Sequence, residues 1–324
     1  LGVAAVDAGA FVKDALAHDL LFDVADDVAD GGEGLFVFAI GRIGLEGFDD
    51  LFLHELAGVL AGHLFGHAHG GFEAGSGGKL FDAGDIVCDE ISLEEGQREL
   101  GLAVEEILRR RLFPIVLGGG HETTFGHFQG QHNYLKDKGR TPELGIVNFD
   151  AHFDLRPYDM GNSSGTMFRQ MADVCRAEGT PYHYFPIGIQ QHSNTVSLFK
   201  KARELGVDYV LAKEIQGSNM ESILERMDTF LYRCRDAYIT VCTDVFSSAF
   251  APGVSAPQSL GLDPEVVLPL LKHVLRTRKV RGFDICEISP RFDQDNTTAN
   301  LGAVIIFAVI NTLCRMNGLE YAAE

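Results

Sequence analysis

Tryptophan is absent from all 324 residues, and residues 1–75 also lack Ser, Thr, Asn, Gln, Pro, Tyr, Cys and Met. An ordinary globular segment of that length contains several of these. Two readings stay open for residues 1–75: a divergent N-terminal layer of the fold, or a fault in the recorded sequence such as a wrong reading frame. Long hydrophobic runs are missing too. The longest, Ala303 to Ile310, falls well short of the roughly 20 residues that span a bilayer. Leu1 to Phe22 mixes charge with apolar residues and has no clean hydrophobic core, so no secretory signal is expected. Basic residues are scarce: Lys plus Arg is 27 against 46 for Asp plus Glu, a net charge of −19. That excess argues against nucleic acid and anionic membrane as partners. The six cysteines, at 88, 175, 234, 242, 286 and 314, form no C-x-x-C pair. Six in a chain this long make no disulfide framework. The expectation is a soluble protein of a reducing compartment, most simply the cytoplasm. No G-x-S-x-G elbow, cysteine-nucleophile motif or G-x-x-x-x-G-K-[ST] loop is present, which turns the reading away from serine hydrolases and P-loop ATPases.

What is present is a normal globular mix, 46% hydrophobic and 23% charged. It is read as a single domain over residues 1–324, with 1–75 compositionally atypical. From Leu80 onward, strands and helices alternate. Glu94 to Arg111 has the amphipathic period of a helix and ends in a basic turn. Phe113–Leu117, Leu144–Phe149, Tyr184–Ile189, Asp208–Leu211, Ala237–Cys242 and Val280–Cys286 read as strands. Nearly continuous apolar strands separated by helices point to an α/β fold with a mostly parallel sheet covered on both faces. Ligands of such sheets bind at the carboxyl ends of the strands.

The polar clusters fall at those ends. Asp150-Ala-His152-Phe-Asp154 follows Leu144–Phe149. On an extended chain, alternate positions point the same way, so two carboxylates and an imidazole could converge there. The bland alternative is a solvated strand end. His121 follows three glycines after Phe113–Leu117; a capping or core histidine is its bland reading. Asp244 follows another buried strand, with Cys242 two positions earlier, and an N-cap role competes for it. Glu287 follows Val280–Cys286. Arg156 lies two residues past Asp154, and its planar fork suits a carboxylate. Arg169 and Arg291 are weaker candidates, set against surface salt bridging. His63, His67 and His69 form a further cluster in a Gly-rich stretch that offers little preorganisation for a metal. Asp and His ligands with bridging carboxylates suit borderline-to-hard divalent ions such as Mn²⁺. Two such ions, about 3.5–4 Å apart, can share a water and lower its pKa.

Together the motifs resemble the ureohydrolase family of arginase, agmatinase and formimidoylglutamase. They are Gly118-Gly119-Gly120-His121, Asp150-Ala-His-Phe-Asp154, Asp244 with Ala251-Pro-Gly-Val-Ser-Ala-Pro257, and Glu287-Ile-Ser-Pro290 with Asp293 and Thr298-Ala299. The resemblance implies an arginase-like three-layer α/β/α sandwich, two Mn²⁺ per subunit, and assembly as a homo-oligomer. It implies that His121 and Asp154 bind one ion, His152 and Asp244 the other, and that Asp150 bridges them. Cys242 stands where the family often has a bridging Asp. Asp154 would also shuttle a proton, and Glu287 would hold the substrate's cationic group. Ser164, in Asn162–Gln170, together with Gly188–Gln190 and Asn194-Thr195, is similar to the formimidoylglutamase branch. Arg156, Ser164 and Arg169 would then bind a small molecule bearing carboxylates. The implied reaction is hydrolysis of N-formimino-L-glutamate to L-glutamate and formamide in histidine breakdown. Two alternatives stay open: another amidine or guanidine hydrolase of the family, and a metal-poor, non-catalytic binding protein.

Overall fold

A computed structural model describes residues 36–41, 73–74, 78–88, 91–215 and 217–318. The strands are β1 (Phe36–Gly41), β2 (Glu73–Ala74), β3 (Gly78–Asp85), β4 (Phe113–Leu117), β5 (Leu144–Phe149), β6 (His183–Ile189), β7 (Val210–Leu211), β8 (Asp236–Cys242) and β9 (Val280–Cys286). The helices among the described residues are α1 (Leu93–Arg109), α2 (Thr123–Asp137), α3 (Met167–Glu178), α4 (Val196–Glu204), α5 (Met220–Tyr232), α6 (Pro264–Arg276) and α7 (Thr297–Met316). All nine strands join one sheet in the order β2-β3-β1-β4-β9-β8-β5-β6-β7. Every neighbouring pair is parallel except β2 with β3.

Side-chain alternation along the strands builds the two outer layers. Val147 and Phe149 of β5, Ile239 and Val241 of β8 and Phe283 and Ile285 of β9 pack into one core with residues of α5, α6 and α7. Leu144 and Ile146 of β5, Tyr184 of β6 and Tyr238 of β8 face the other way, onto residues of α2 and α3. Val116 of β4 packs on the same side with residues of α1. Every residue of β5 and β8 is buried, the signature of a parallel sheet covered on both faces. The fold is the expected three-layer α/β/α sandwich.

Most strands coincide with the periods in the sequence. β7 is shorter than expected, two residues in place of four. The helix expected over Glu94–Arg111 runs Leu93–Arg109 instead. Ser92 caps its start by accepting the Glu95 N–H at 3.2 Å. Its end is set by Arg111, whose φ of 64° no right-handed helix can continue. β1 lies inside the compositionally atypical segment, yet it pairs with β3 and β4 as a full member of the sheet. One described helix, α7, is long and apolar enough to cross a membrane by length and composition. Ala303 to Ile310 is only its middle. It lies against the sheet, with 61% of its apolar window buried, as a core helix does.

Strand order positions the site. The chain passes from β4 to β5 across the places later taken by β9 and β8. The carboxyl ends of β4, β9, β8 and β5 therefore stand side by side at the centre of the sheet, where open α/β sheets bind ligands.

Candidate metal centre

His121 sits just past β4, before α2. The approach is tight: a Cβ on Gly118 would lie 2.7 Å from the Cys286 Sγ, so only glycine fits. His121 Nδ1 is 3.1 Å from Asp150 Oδ2 and 3.1 Å from Asp154 Oδ2. Its Nε2 is 2.9 Å from Thr240 Oγ1. Thr240 Oγ1 in turn lies 3.1 Å from Thr124 Oγ1, and the Thr124 hydroxyl donates at 3.3 Å to the carboxylate of Asp284, which lies 3.0 Å from His127 Nδ1. With Nε2 directed at Thr240, Nδ1 is the ring nitrogen that faces the carboxylates and the one an ion would take.

Asp150-Ala-His-Phe-Asp154 converges, but not as an extended chain. β5 ends at Phe149. The next residues bend, and Asp154 adopts a left-handed backbone with φ 48°. The bend splits the side chains. Asp154 turns to His121, while His152 Nδ1 lies 3.0 Å from Asp244 Oδ2 and 3.6 Å from Asp150 Oδ1. Asn194 holds the bend open. It accepts the Phe153 N–H at 3.0 Å and donates to the Ala151 and Gln190 carbonyls at 2.8 Å each.

Two groups of metal-ligand atoms result. One is His121, Asp150 and Cys242; the other is Asp150, His152 and Asp244. Within each group, the atoms lie within 4.8 Å of one another. Asp150 belongs to both. Cys242 belongs to the His121 group, so the softer donor falls on the His121 side.

The electrostatics fit cations. Burial, then the charge of Asp150, pushes the Asp154 carboxyl up to about 7. The same two causes raise Asp244. Burial, then Asp244, drives the Cys242 thiol well above its usual range. Burial opposes the charge of His152, but Asp150 and Asp244 outweigh it and lift the ring to about 11. Asp150 goes the other way: His121 and His152 overcome burial and hold it far below the carboxylate range. Three carboxyls and a thiol are thus packed out of water with two imidazoles, a charge pattern that divalent cations neutralise. Asp244 Oδ1 is buried with no hydrogen-bond partner, as a ligand oxygen aimed at an ion would be. Nitrogen, oxygen and one sulfur donor suit a borderline divalent ion.

Glu287 follows β9 in a left-handed conformation, φ 67°. Its Oε1 accepts the His121 N–H at 3.0 Å, and its Oε2 accepts the Ser255 hydroxyl at 2.7 Å. It stands beside the ligand groups and joins neither. The other motif residues build its support. Asp293 accepts the Thr298 and Ala299 N–H groups at the start of α7, each at 3.0 Å. The Thr298 hydroxyl accepts the Gly253 N–H at 2.7 Å. Arg156 is exposed, with its side chain against Gly165 and no acidic partner among the described residues. Its N–H donates to the Gly165 carbonyl at 2.9 Å, which places half-buried Ser164 on the same loop. Arg169, on α3, is half-buried, and its charge acts on Tyr158 and Glu204. Arg291 lies exposed over the Phe292 ring, 5.5 Å from its centre. His63, His67 and His69 lie outside the described residues.

The sequence reading missed Asn148, Thr240 and Asp284. Each lies two positions before a residue that it did identify or could have: Asp150, Cys242 and Cys286. Carrying the period of two backwards along each strand would have found them.

The family model described as "Arginase family" matches residues 64–311. The chain belongs to the arginase family. Among curated proteins, this arginase-family chain is 55% identical over 242 residues to the formimidoylglutamase of Clostridium tetani, covering 74% of this chain and 72% of that one. It is 42% identical to the formimidoylglutamase of Geobacillus thermodenitrificans, covering 70% and 69%. Among solved structures, formimidoylglutamase from Bacillus subtilis aligns with a TM-score of 0.70 at 19% identity, covering 86% of this chain and 87% of that one. Trypanosoma cruzi formiminoglutamase with Mn2+2 aligns with a TM-score of 0.69 at 19% identity, covering 93% and 99%. At such identities, the likeness to the solved structures is one of fold.

Proposed function

We propose that this chain is a formimidoylglutamase: with one water, it converts N-formimino-L-glutamate to L-glutamate and formamide. The 55% identity with the Clostridium tetani formimidoylglutamase carries this reading. The two ligand groups sharing Asp150 support two Mn²⁺ per subunit. His121, Asp154 and Cys242 would serve one ion, His152 and Asp244 the other, and Asp150 both. Bound there, the pair would supply Lewis acidity that activates water and stabilises charge developing in the transition state.

The protein's own groups do the rest. Glu287 presents a carboxylate beside the site and holds the amidinium in its cationic form, which is the more electrophilic one. Asp154, whose Oδ2 lies 3.1 Å from His121 Nδ1, would take and return a proton. It passes that proton to the departing glutamate nitrogen, which leaves as an amine. Arg156 and Ser164, on one loop past Asp154, bind the substrate carboxylates, with Arg169 as a further contact. Arg156 has a free fork for this. The enzyme works in the cytoplasm as a homo-oligomer.

The test is formamide release from N-formimino-L-glutamate in Mn²⁺, with and without a thiol reductant, beside arginine, agmatine and guanidinobutyrate. Turnover confined to the formimino substrate is expected. Turnover of a guanidine substrate alone would overturn the assignment, and near-zero metal uptake would point to a non-catalytic protein.

A further inference from the structure

At the ends of β4 and β9 remote from the metal ligands, the C-termini of α1, α6 and α7 surround a cavity of about 310 Å³. Its walls are mixed, with apolar Leu112, Phe113 and Leu275 on one part of them. Among the described residues its charged lining is Arg111, Arg278 and Arg281, with no acidic residue. On a chain with a net charge of −19, such a pocket is a local reversal of the field. Arg281 donates to Asp236 at 2.7 Å, and Asp236 is also held by Arg140, so the one nearby carboxylate is already engaged twice. Arg278 reaches the Met316 carbonyl. The Arg111 guanidinium has no partner among the described residues.

The backbone adds a second line of argument. Gly139, Gly179, Gly206 and Gly318 follow α2, α3, α4 and α7 with φ of 67°, 67°, 68° and 73°. Glycine is the unstrained choice at such left-handed helix ends. Arg111 and Arg278 occupy the same position after α1 and α6, with φ of 64° and 61°. An L side chain is strained there. The two helices that end on a strained arginine both deliver it to this one cavity. Compensating a helix dipole favours a cation in the last turn, but it does not require the left-handed residue to be that cation.

We infer that this cavity binds a small organic anion, with a carboxylate or phosphate head for the guanidinium groups and an apolar body for the apolar part of the walls. The site does not depend on the reaction proposed above. The test uses the full metal-loaded chain and calorimetric titration with phenyl phosphate, phenylacetate and inorganic phosphate. The variants are R111G, R278G and the double variant R111G/R278G; glycine suits both backbones, so the fold is kept. Saturable binding is expected for a probe that carries both head and ring, tighter than for inorganic phosphate. Loss of about tenfold in affinity is expected for each guanidinium removed. R176A, on the exposed side of α3, should bind as the wild type does. Absence of saturable binding, or unchanged affinity in R111G/R278G, overturns the inference. So does a concentration-dependent increase in mass that R111G/R278G abolishes, which would make this face a contact between copies of the chain.

Discussion

Replacing Thr240 with Val removes one oxygen and almost no volume, yet it should weaken metal binding at a distance from the metal. Thr240 Oγ1 is the acceptor for His121 Nε2–H at 2.9 Å. His121 and Thr240 are both buried, so water cannot replace that acceptor. A buried donor left without a partner costs about 1–3 kcal/mol. The ring can escape that cost by moving its proton to Nδ1, where Asp150 and Asp154 each offer an oxygen at 3.1 Å. That move removes the lone pair a metal would use. Either outcome penalises the bound state, and loss of such outer partners typically costs 10–100-fold in metal affinity. That is about 1.4–2.7 kcal/mol. Mn²⁺ affinity, measured by competition with a chelating dye, should fall by this factor in T240V and recover in T240S, which restores the hydroxyl. Equal affinity in T240V and wild type would refute the argument. Equal loss in T240S and T240V would assign the effect to packing instead.

Four further outcomes are expected. D154N should cut turnover severely while metal content, measured by elemental analysis, stays nearly intact; unchanged turnover removes the proton-carrying role. Metal uptake should tighten as pH rises from about 6 to 8. Metal-free His152 and Asp154, with pKa values of about 11 and about 7, hold protons that metal displaces. Calorimetry in buffers of different ionisation enthalpy should then record proton release, and pH-independent binding would count against it. G188A should lose about 2–4 kcal/mol of stability in a denaturant titration, because Gly188 has φ 106° and its Cβ would lie 2.5 Å from Val245 Cγ2. N194A, which strips three hydrogen bonds from the Asp150–Asp154 bend and its neighbour Gln190, should lower metal affinity more than thermal stability; a large stability loss with unchanged affinity would contradict that.

The strands were legible because the central ones are buried on both faces. Largely apolar runs such as Leu144–Phe149 and Ala237–Cys242 can hardly be anything else, and the ligands lie at or within a few residues of the ends of such runs. The bend at Asp150–Asp154 was not legible. Period two suggested a pleat, but Asn194 and the left-handed Asp154 impose a reversal through contacts distant in sequence. The placement of Cys242 with His121 was also hidden, because it depends on β4 and β8 being separated by β9 alone. β1 escaped notice although Asp30-Gly-Gly-Glu-Gly34 and Gly41-Arg42 bracket it, because the odd composition of residues 1–75 kept that segment out of the strand reading.

The crowding of Asp150, Asp154, Asp244 and Cys242 has a consequence for the life of the protein in a cell. A fold that must protonate its own buried acids when empty gains stability when cations arrive, by RT ln(1 + [M]/Kd). At a hundred times Kd, that is about 2.7 kcal/mol, enough to change the unfolded fraction on which proteases act by about 100-fold. Scarcity of the metal would then shorten the half-life of the chain itself, so the amount of enzyme would follow the ion supply without any dedicated regulator.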